Sequence, residues 1–422
     1  MTDHQSQGQS KPHVAIIGAG IVGICSAAFL QREGYRVTLI DAEDPGTMTS
    51  FGNAGAISPH SVTPMALPGI WKNVPRWLLD PLGPLAVRMD YAAKATPWLI
   101  KFMAAAKSYE AQAAALASLH RPVREAYLEL TGDAGASHLL KQTGSLSVYE
   151  TEAGFQGDVL MRELSRRHGH TVEELTGDEL RQLEPALGPQ FVRATYFPDS
   201  THCINPGDLC QRLVALVFAA GGEHIRAKVT GFETGADGVT ALRTDDGQRH
   251  AFDHFVVSAG AWSHRLSAQL GEPFPLESER GYHMVLPHPG FETSRPISFG
   301  ERKFMCTMME PGLRLAGTVE FAGLEADPNW GRADKLLDHA RQIFRTVDVG
   351  DAKPWMGQRP STPDSMPVIG RSKKHANVAY AFGHGHLGLT GGAITGQHIT
   401  SVIAGREPAI DLSPFSIDRF SR

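Results

Sequence analysis

His13 to Glu43 read HVAIIGAGIVGICSAAFLQREGYRVTLIDAE, and this stretch decides the fold. It opens on a short apolar run rich in β-branched residues, passes three glycines, continues as an apolar helical segment and closes on a second apolar run. That is the pattern of a strand, helix, strand unit. Gly18, Gly20 and Gly23 stand in the GxGxxG register between the first strand and the helix. The first permits a tight turn, the second lets backbone approach a pyrophosphate, and the third allows close packing of helix on strand. The pyrophosphate would rest on the helix N-terminus. Asp41 closes the second strand 18 residues after Gly23. A carboxylate there accepts hydrogen bonds from the hydroxyls of an adenosine ribose and argues against NADP. Cys25, inside the helix, reads as a small buried hydrophobe.

Working outward, the strand and helix alternation stops at Asp41 and gives way to SFGNAGAISPHSVTPMALPG, Ser50 to Gly69. An NAD dehydrogenase would continue with further units of the same kind, so the chain has left its nucleotide layer. It returns twice. HFVVSAGAWS, His254 to Ser263, reads as a buried strand ending in a small-residue turn. ANVAYAFGHGHLGLTGGAITG, Ala376 to Gly396, reads as strand, Gly-rich loop and helix. A Gly-rich loop feeding a helix N-terminus can direct backbone N–H groups at an electron-rich carbonyl. A reduced isoalloxazine needs such donors near its N1 and C2 carbonyl.

Global features set the outer bounds. The chain has 422 residues, 42% hydrophobic and 20% charged, which excludes a disordered polymer and suggests two large domains or a nested pair. The formal charge of −5 gives no reason to expect a nucleic-acid partner. Cys25, Cys203, Cys210 and Cys306 are too few and too irregularly spaced for a disulfide framework, and they point to a reducing, cytoplasmic compartment. His384 and His386 have no third ligand at metal-binding spacing, so no metal is expected. The longest apolar run, Leu213 to Ala220, is too short to span a membrane, and Met1 to Lys11 reads as a loose tail without the pattern of a secretory signal.

Five ordered stretches carry a family resemblance: IIGAGIVG with Asp41, SFGNAGAISP (Ser50 to Pro59), VVSAGAWS (Val256 to Ser263), RPSTPDSMPVIG (Arg359 to Gly370) and GHGHLGLT (Gly383 to Thr390). With them the sequence resembles the D-amino-acid oxidase and glycine oxidase superfamily of FAD proteins, and within it the D-amino-acid dehydrogenase (small subunit) branch. The resemblance implies an α/β FAD-binding domain, Rossmann-like and of the glutathione-reductase type. It also implies an α+β substrate domain on a mixed or antiparallel sheet. FAD contacts carried over by position are Gly18, Gly20, Gly23, Asp41, Ser50, Asn53, Ala54, Gly55, Val229, Gly260, Gly388, Leu389 and Thr390. Some relatives attach the flavin through a cysteine five residues before a Thr-Pro-Asp triplet. Here that position is Gly357, so FAD is expected to be non-covalent.

The implied activity is oxidation of a D-amino acid to an imine by hydride transfer from Cα to flavin N5, with cyclic D-proline or hydroxy-D-proline among the candidates. The alternative is a sarcosine- or glycine-oxidase-like enzyme that releases hydrogen peroxide. The expected electron acceptor is a quinone or another carrier. Such chemistry is mainly a matter of orientation and calls for a carboxylate clamp, for which an arginine fork suits a planar carboxylate. The resemblance implies Arg359, which precedes Pro360 where glycine-oxidase-like enzymes place the arginine that binds the substrate carboxylate, with capping a loop or pairing with Asp364 as its bland alternative. His386 stands where the family pattern has a second arginine, and can donate one hydrogen bond. His384 reads as a supporting residue.

RGYHMVL (Arg280 to Leu286) and RLAGTVEFAG (Arg314 to Gly323) alternate as strands of a sheet roofing the flavin. Tyr282 and His283, with Val319 and Phe304, are the pocket candidates, against plain core packing. GRADKLLDHARQIF, Gly331 to Phe344, reads as an amphipathic helix. The Trp71 to Trp98 segment reads as helices packed on the substrate sheet, with a peripheral membrane contact as the alternative. The roles of His60 and His202 stay open. The expected division is 12–60, 196–271 and 354–422 for FAD, 61–195 and 272–353 for substrate, and 1–11 as a tail.

Overall fold

The computed structural model describes residues 12–69, 83, 85–236, 238–344 and 346–421. Two large sheets organise it. The first has six strands in the order Glu223–Arg226, Arg36–Asp41, His13–Ile17, His254–Val257, Val378–Phe382, Val368–Arg371. All neighbours are parallel except the last pair. His13–Ile17 has the next strand in sequence on one side and the strand from residue 254 on the other. The carboxyl end of His13–Ile17 therefore borders a topological switch point, where open α/β sheets bind their ligands. The two later visits to the nucleotide layer read from the sequence are the strands at 254 and 378.

Burial explains these strands. Val14, Ala15 and Ile16 have no exposure at all, and Val37, Leu39 and Ile40 almost none, as near-continuous apolar runs covered on both faces require. Helix Ile21–Arg32 packs with Gly388–Ile403, Pro206–Ala219 and Val123–Asp133 in one core over this sheet, and Cys25 lies wholly inside it. Each fully buried Leu, Ile or Val there contributes about 1.5–3 kcal/mol.

The second sheet has nine strands and is largely antiparallel: Lys353–Ser361, Glu277–Leu286, Gly312–Phe321, Phe304–Met309, Ile297–Phe299, Ser145–Tyr149, Arg193–Phe197 and Glu173–Thr176, with Leu85–Val87 pairing beside Gly312–Phe321. Helix Gly331–Ile343 covers one face, setting Ala333, Leu336 and Ala340 against Tyr282, Met284, Leu313 and Leu315. Lys353–Ser361, which the sequence division put mostly with the FAD segments, is hydrogen-bonded along its length to Glu277–Leu286. The strand thus carries Arg359 into the larger sheet, and the chain re-enters the nucleotide layer only after Ser361.

Of the tryptophan-rich segment, Trp71 and Trp77 lie outside the described residues. Trp98 is buried, stacks on Phe102 and donates its indole N–H to the Ser361 carbonyl. No described helix is long and apolar enough to cross a membrane.

Candidate active site

One continuous cavity of about 1300 Å³ runs between the two sheets, from Val229 and Asp41 at one end to Arg359 and Phe304 at the other. That exceeds the ~300–1,000 Å³ typical of drug-sized ligands and leaves room for a dinucleotide with a small substrate.

The nucleotide end is built on Gly18. Its φ of +105° lies outside what L side chains adopt, and a Cβ there would fall within van der Waals contact of the Ser258 carbonyl. A Cβ on Gly23 would strike the Gly18 carbonyl, which is the close helix-to-strand approach expected of the third glycine. No side chain caps helix Ile21–Arg32, although Ser50 Oγ accepts the Ile21 N–H at 2.9 Å. Asp41 Oδ2 accepts the Ala19 N–H at 2.7 Å and so fixes the turn, and it lines the cavity beside Val229. Asn53 Oδ1 accepts the Gly55 N–H at 2.8 Å, shaping the Ser50 to Gly55 segment, and Asn53 and Ala54 line the cavity. Gly260 lines it as well.

At the other side, helix Gly388–Ile403 also starts without a side-chain cap, its Gly388, Leu389 and Thr390 on the cavity wall. Thr390 Oγ1 donates to the Ala56 carbonyl and ties this helix to the Asn53 segment. Two helix starts whose N-cap residues supply no side-chain acceptor face one elongated cavity, and their N–H groups not taken by Ser50 are donors for a pyrophosphate and for a flavin carbonyl, so these residues fit FAD.

The substrate end forms where Glu277–Leu286 pairs with Lys353–Ser361. Arg359 lies opposite Glu279 and across Gly281. A Cβ on Gly281 would coincide with the guanidinium, so glycine is what lets the fork lie there. Arg359 Nη1 donates to Glu279 Oε1 at 3.1 Å and to the Thr318 carbonyl at 3.0 Å. The Nε and Nη2 edge takes no acceptor among the described residues. Thr318 has a φ of +59° where the pairing of its strand with Glu277–Leu286 shifts register, a bulge that re-aims backbone beside the site. Asp364, the alternative partner for Arg359, is held by Arg419 at 2.7 Å.

His386 Nε2 lies 2.6 Å from the same Glu279 oxygen. Burial acts to raise the Glu279 pKa, but the charges and hydrogen bonds of His386 and Arg359 outweigh it and bring the carboxyl to about 2. His283 stacks on Trp355 and its Nδ1 meets the Gly52 carbonyl at 3.0 Å. Val319 and Phe304 line the cavity, Phe304 stacked between Phe299 and His339.

Tyr282 differs from its expectation. Neighbours on a strand face opposite sides, and with His283 toward the cavity the Tyr282 ring goes to the helix Gly331–Ile343 side. Its hydroxyl donates to Glu320 at 2.6 Å and accepts the Asn329 N–H. Tyr282 is part of the cavity lining, but its ring and hydroxyl are engaged in the core.

Sequence reading missed Glu279, because the strand was read from Arg280 onward. The available signal was an acid in period-two register with Gly281 and His283. Arg314 was missed as well: its Nη1 donates to the Phe51 and Asn53 carbonyls and holds the flavin-side segment, while burial lowers its pKa to about 10.

His384 is buried with Nε2 2.9 Å from Thr395 Oγ1, a supporting position. His60 stacks on Phe197 and contacts Ser200, and His202 lies on a short strand beside Ala56 and contacts Thr143. Among the described residues no cluster suits a metal ion. Gly357, the position of a flavin-linking cysteine in some relatives, sits against the Trp355 ring on the cavity wall.

Burial lowers the pKa of His60, His283 and His384 to about 3, and of His120, His202 and His398 to about 4. These imidazoles fold neutral, whereas the unfolded chain takes protons below pH ~6.5. Stability is therefore full above pH ~6.5 and falls as pH drops toward 4, each group costing up to about 1.4 kcal/mol per pH unit in that window. The melting temperature should drop steeply from pH 7 to pH 5. A flat profile would contradict this burial.

A dinucleotide cavity that runs from a GxGxxG turn to an arginine at its far end is the build of a dinucleotide-dependent oxidoreductase. The chain belongs to the FAD dependent oxidoreductase (DAO) family, whose model matches residues 13–402. FAD is its cofactor. The chain is 42% identical over 417 residues to a D-amino-acid oxidase of Bradyrhizobium diazoefficiens, covering 97% of this chain and 99% of that one. It is 34% identical to a D-amino acid dehydrogenase of Paramagnetospirillum magneticum, with coverage of 97% and 99%. Among solved structures it shares its fold with an L-proline dehydrogenase from P. horikoshii, at TM-score 0.75, 17% identity and 98% coverage of both chains. A glycine oxidase from Bacillus cereus matches at TM-score 0.72 and 20% identity, covering 94% of this chain and 96% of that one.

Proposed function

We propose that this oxidoreductase acts on a D-amino acid, converting its Cα–N bond to an imine that water then opens or hydrolyses. The observation that carries this is Arg359: a guanidinium seated on Gly281, held from one side by Glu279 and Thr318, with its other edge free at the cavity. That edge suits one planar carboxylate and fixes the plane of the substrate. FAD, when bound, supplies the two-electron oxidant. The residues of the chain do the rest. Arg359 orients the carboxylate, His386 holds Glu279 beside it, and Val319 and Phe304 bound the space for the side chain. The D configuration is supported by the names of the relatives at 42% and 34% identity.

Electrons then pass to a quinone-type carrier in our reading, which the dehydrogenase names support. The relative named an oxidase supports a second reading, with dioxygen as acceptor. Peroxide formed per turnover in aerated buffer separates them. Nearly one equivalent is the oxidase outcome, and a trace, with fast reduction of an added quinone, is the dehydrogenase outcome. The four cysteines are free and buried, which supports a reducing, cytoplasmic setting.

A further inference from the structure

Glu279 is the buried group that the clamp alone leaves unexplained. It is 1% exposed yet lines the cavity. Both of its side-chain partners, Arg359 Nη1 at 3.1 Å and His386 Nε2 at 2.6 Å, bind one oxygen, Oε1. Oε2 takes no hydrogen bond from any described residue. An ionised carboxylate is an acceptor only, and two donors at Oε1 leave it capacity for a further one. The Glu279 carboxylate and the Arg359 guanidinium, paired through Oε1 and Nη1, thus set an anion next to a cation at one end of the cavity. An α-amino acid carries the complementary pair on adjacent groups.

We propose that Glu279 binds the nitrogen of the substrate, so that Arg359 and Glu279 together form a zwitterion clamp. This rests on the reading of the site as one for amino acids. His386 and Arg359 pin Oε1 and stop the carboxylate from turning, while Oε2 receives the substrate N–H. The strongly acidic carboxyl stays ionised across neutral pH and does not serve as the base.

Its effect is electrostatic. The amine reacts as the neutral base. As the Cα hydrogen leaves with its electron pair, the nitrogen lone pair forms the C=N bond and positive charge grows on nitrogen, next to a carboxylate already in place. The substrate class narrows to primary or secondary α-amino acids. A carboxylic acid with carbon in place of the nitrogen gains only the Arg359 half of the clamp.

Two probes without a Cα hydrogen test this independently of turnover. 2-Aminoisobutyrate and pivalate have the same shape, with an amine in one replaced by a methyl in the other. Their dissociation constants are read from the perturbed visible band of the FAD-loaded protein. Wild type should favour 2-aminoisobutyrate by on the order of 30-fold or more, as expected for a buried charged partner worth ~2–5 kcal/mol. Glu279→Gln should bring the ratio to within about threefold of one while leaving pivalate affinity nearly unchanged, and Glu279→Asp should restore part of the preference. No preference in wild type overturns the proposal, as does a preference that survives in Glu279→Gln. A parallel fall of both ligands would also overturn it, since Glu279 would then only position Arg359. If the preference holds in wild type but no D-amino acid reduces the flavin, the oxidation reading fails and the clamp stands.

Discussion

Arg359→Ala should lower kcat/KM on amino acids by on the order of 10²- to 10⁴-fold, with FAD content unchanged. The magnitude follows from losing two charge-assisted hydrogen bonds to a carboxylate, each worth about 1.5–3 kcal/mol in a buried setting, where about 1.4 kcal/mol is a factor of ten. The truncation also leaves Glu279 with His386 as its remaining side-chain partner among the described residues. Arg359→Lys keeps the charge but not the fork, so it should recover only part of the loss and should show it mainly in KM. Gly281→Ala reaches the same end from the backbone: its methyl would occupy the space of the guanidinium, so the fork must leave its seat. All three should bind FAD normally, because Arg359 lies at the far end of the cavity from the GxGxxG turn. Wild-type kinetics in Arg359→Ala would remove it from the site.

Gly18→Ala should abolish FAD binding and leave little soluble protein. A φ of +105° is closed to alanine, and the new Cβ would collide with the Ser258 carbonyl, a backbone atom of a buried strand end that cannot turn aside. Gly20→Ala is the contrasting variant. There the Cβ meets only Ser50 Oγ, at 3.3 Å, so the chain should fold while FAD binds more weakly. The ratio of visible to ultraviolet absorbance and a thermal melt with and without added FAD measure both. Equal flavin content in Gly18→Ala and wild type would contradict the role of the turn.

The part of this design legible in the sequence is the part whose constraints are local. A GxGxxG turn needs its glycines wherever it occurs, so Gly18, Gly20 and Gly23 declare the nucleotide end without any tertiary information. Continuous apolar runs at Val14 to Ile17 and Phe255 to Val257 likewise read as strands covered on both faces. Arg359 was reached through resemblance, since nothing in its immediate neighbours says what it faces.

The remainder depends on register. Whether Tyr282 or His283 looks into the cavity is a choice of one residue along a strand, and a bulge at Thr318 on the neighbouring strand hides that choice from any pattern count. Glu279 escaped because an acid at a strand end usually reads as solvated, and only the pairing with Arg359 and the approach of His386 from a third segment make it an interior group. Arg314 acts across more than 260 residues of chain to hold the Phe51 to Asn53 backbone. That is a contact between layers, which sequence spacing does not record.

The most direct test is anaerobic bleaching of the visible flavin band of the purified protein, adding D-proline, cis-4-hydroxy-D-proline, D-alanine, sarcosine and L-proline in turn. Rapid bleaching by one or more of the D-amino acids, with none by L-proline, is the expected result. FAD present but unreduced by every one of these compounds would contradict the assignment of the cavity to amino-acid oxidation.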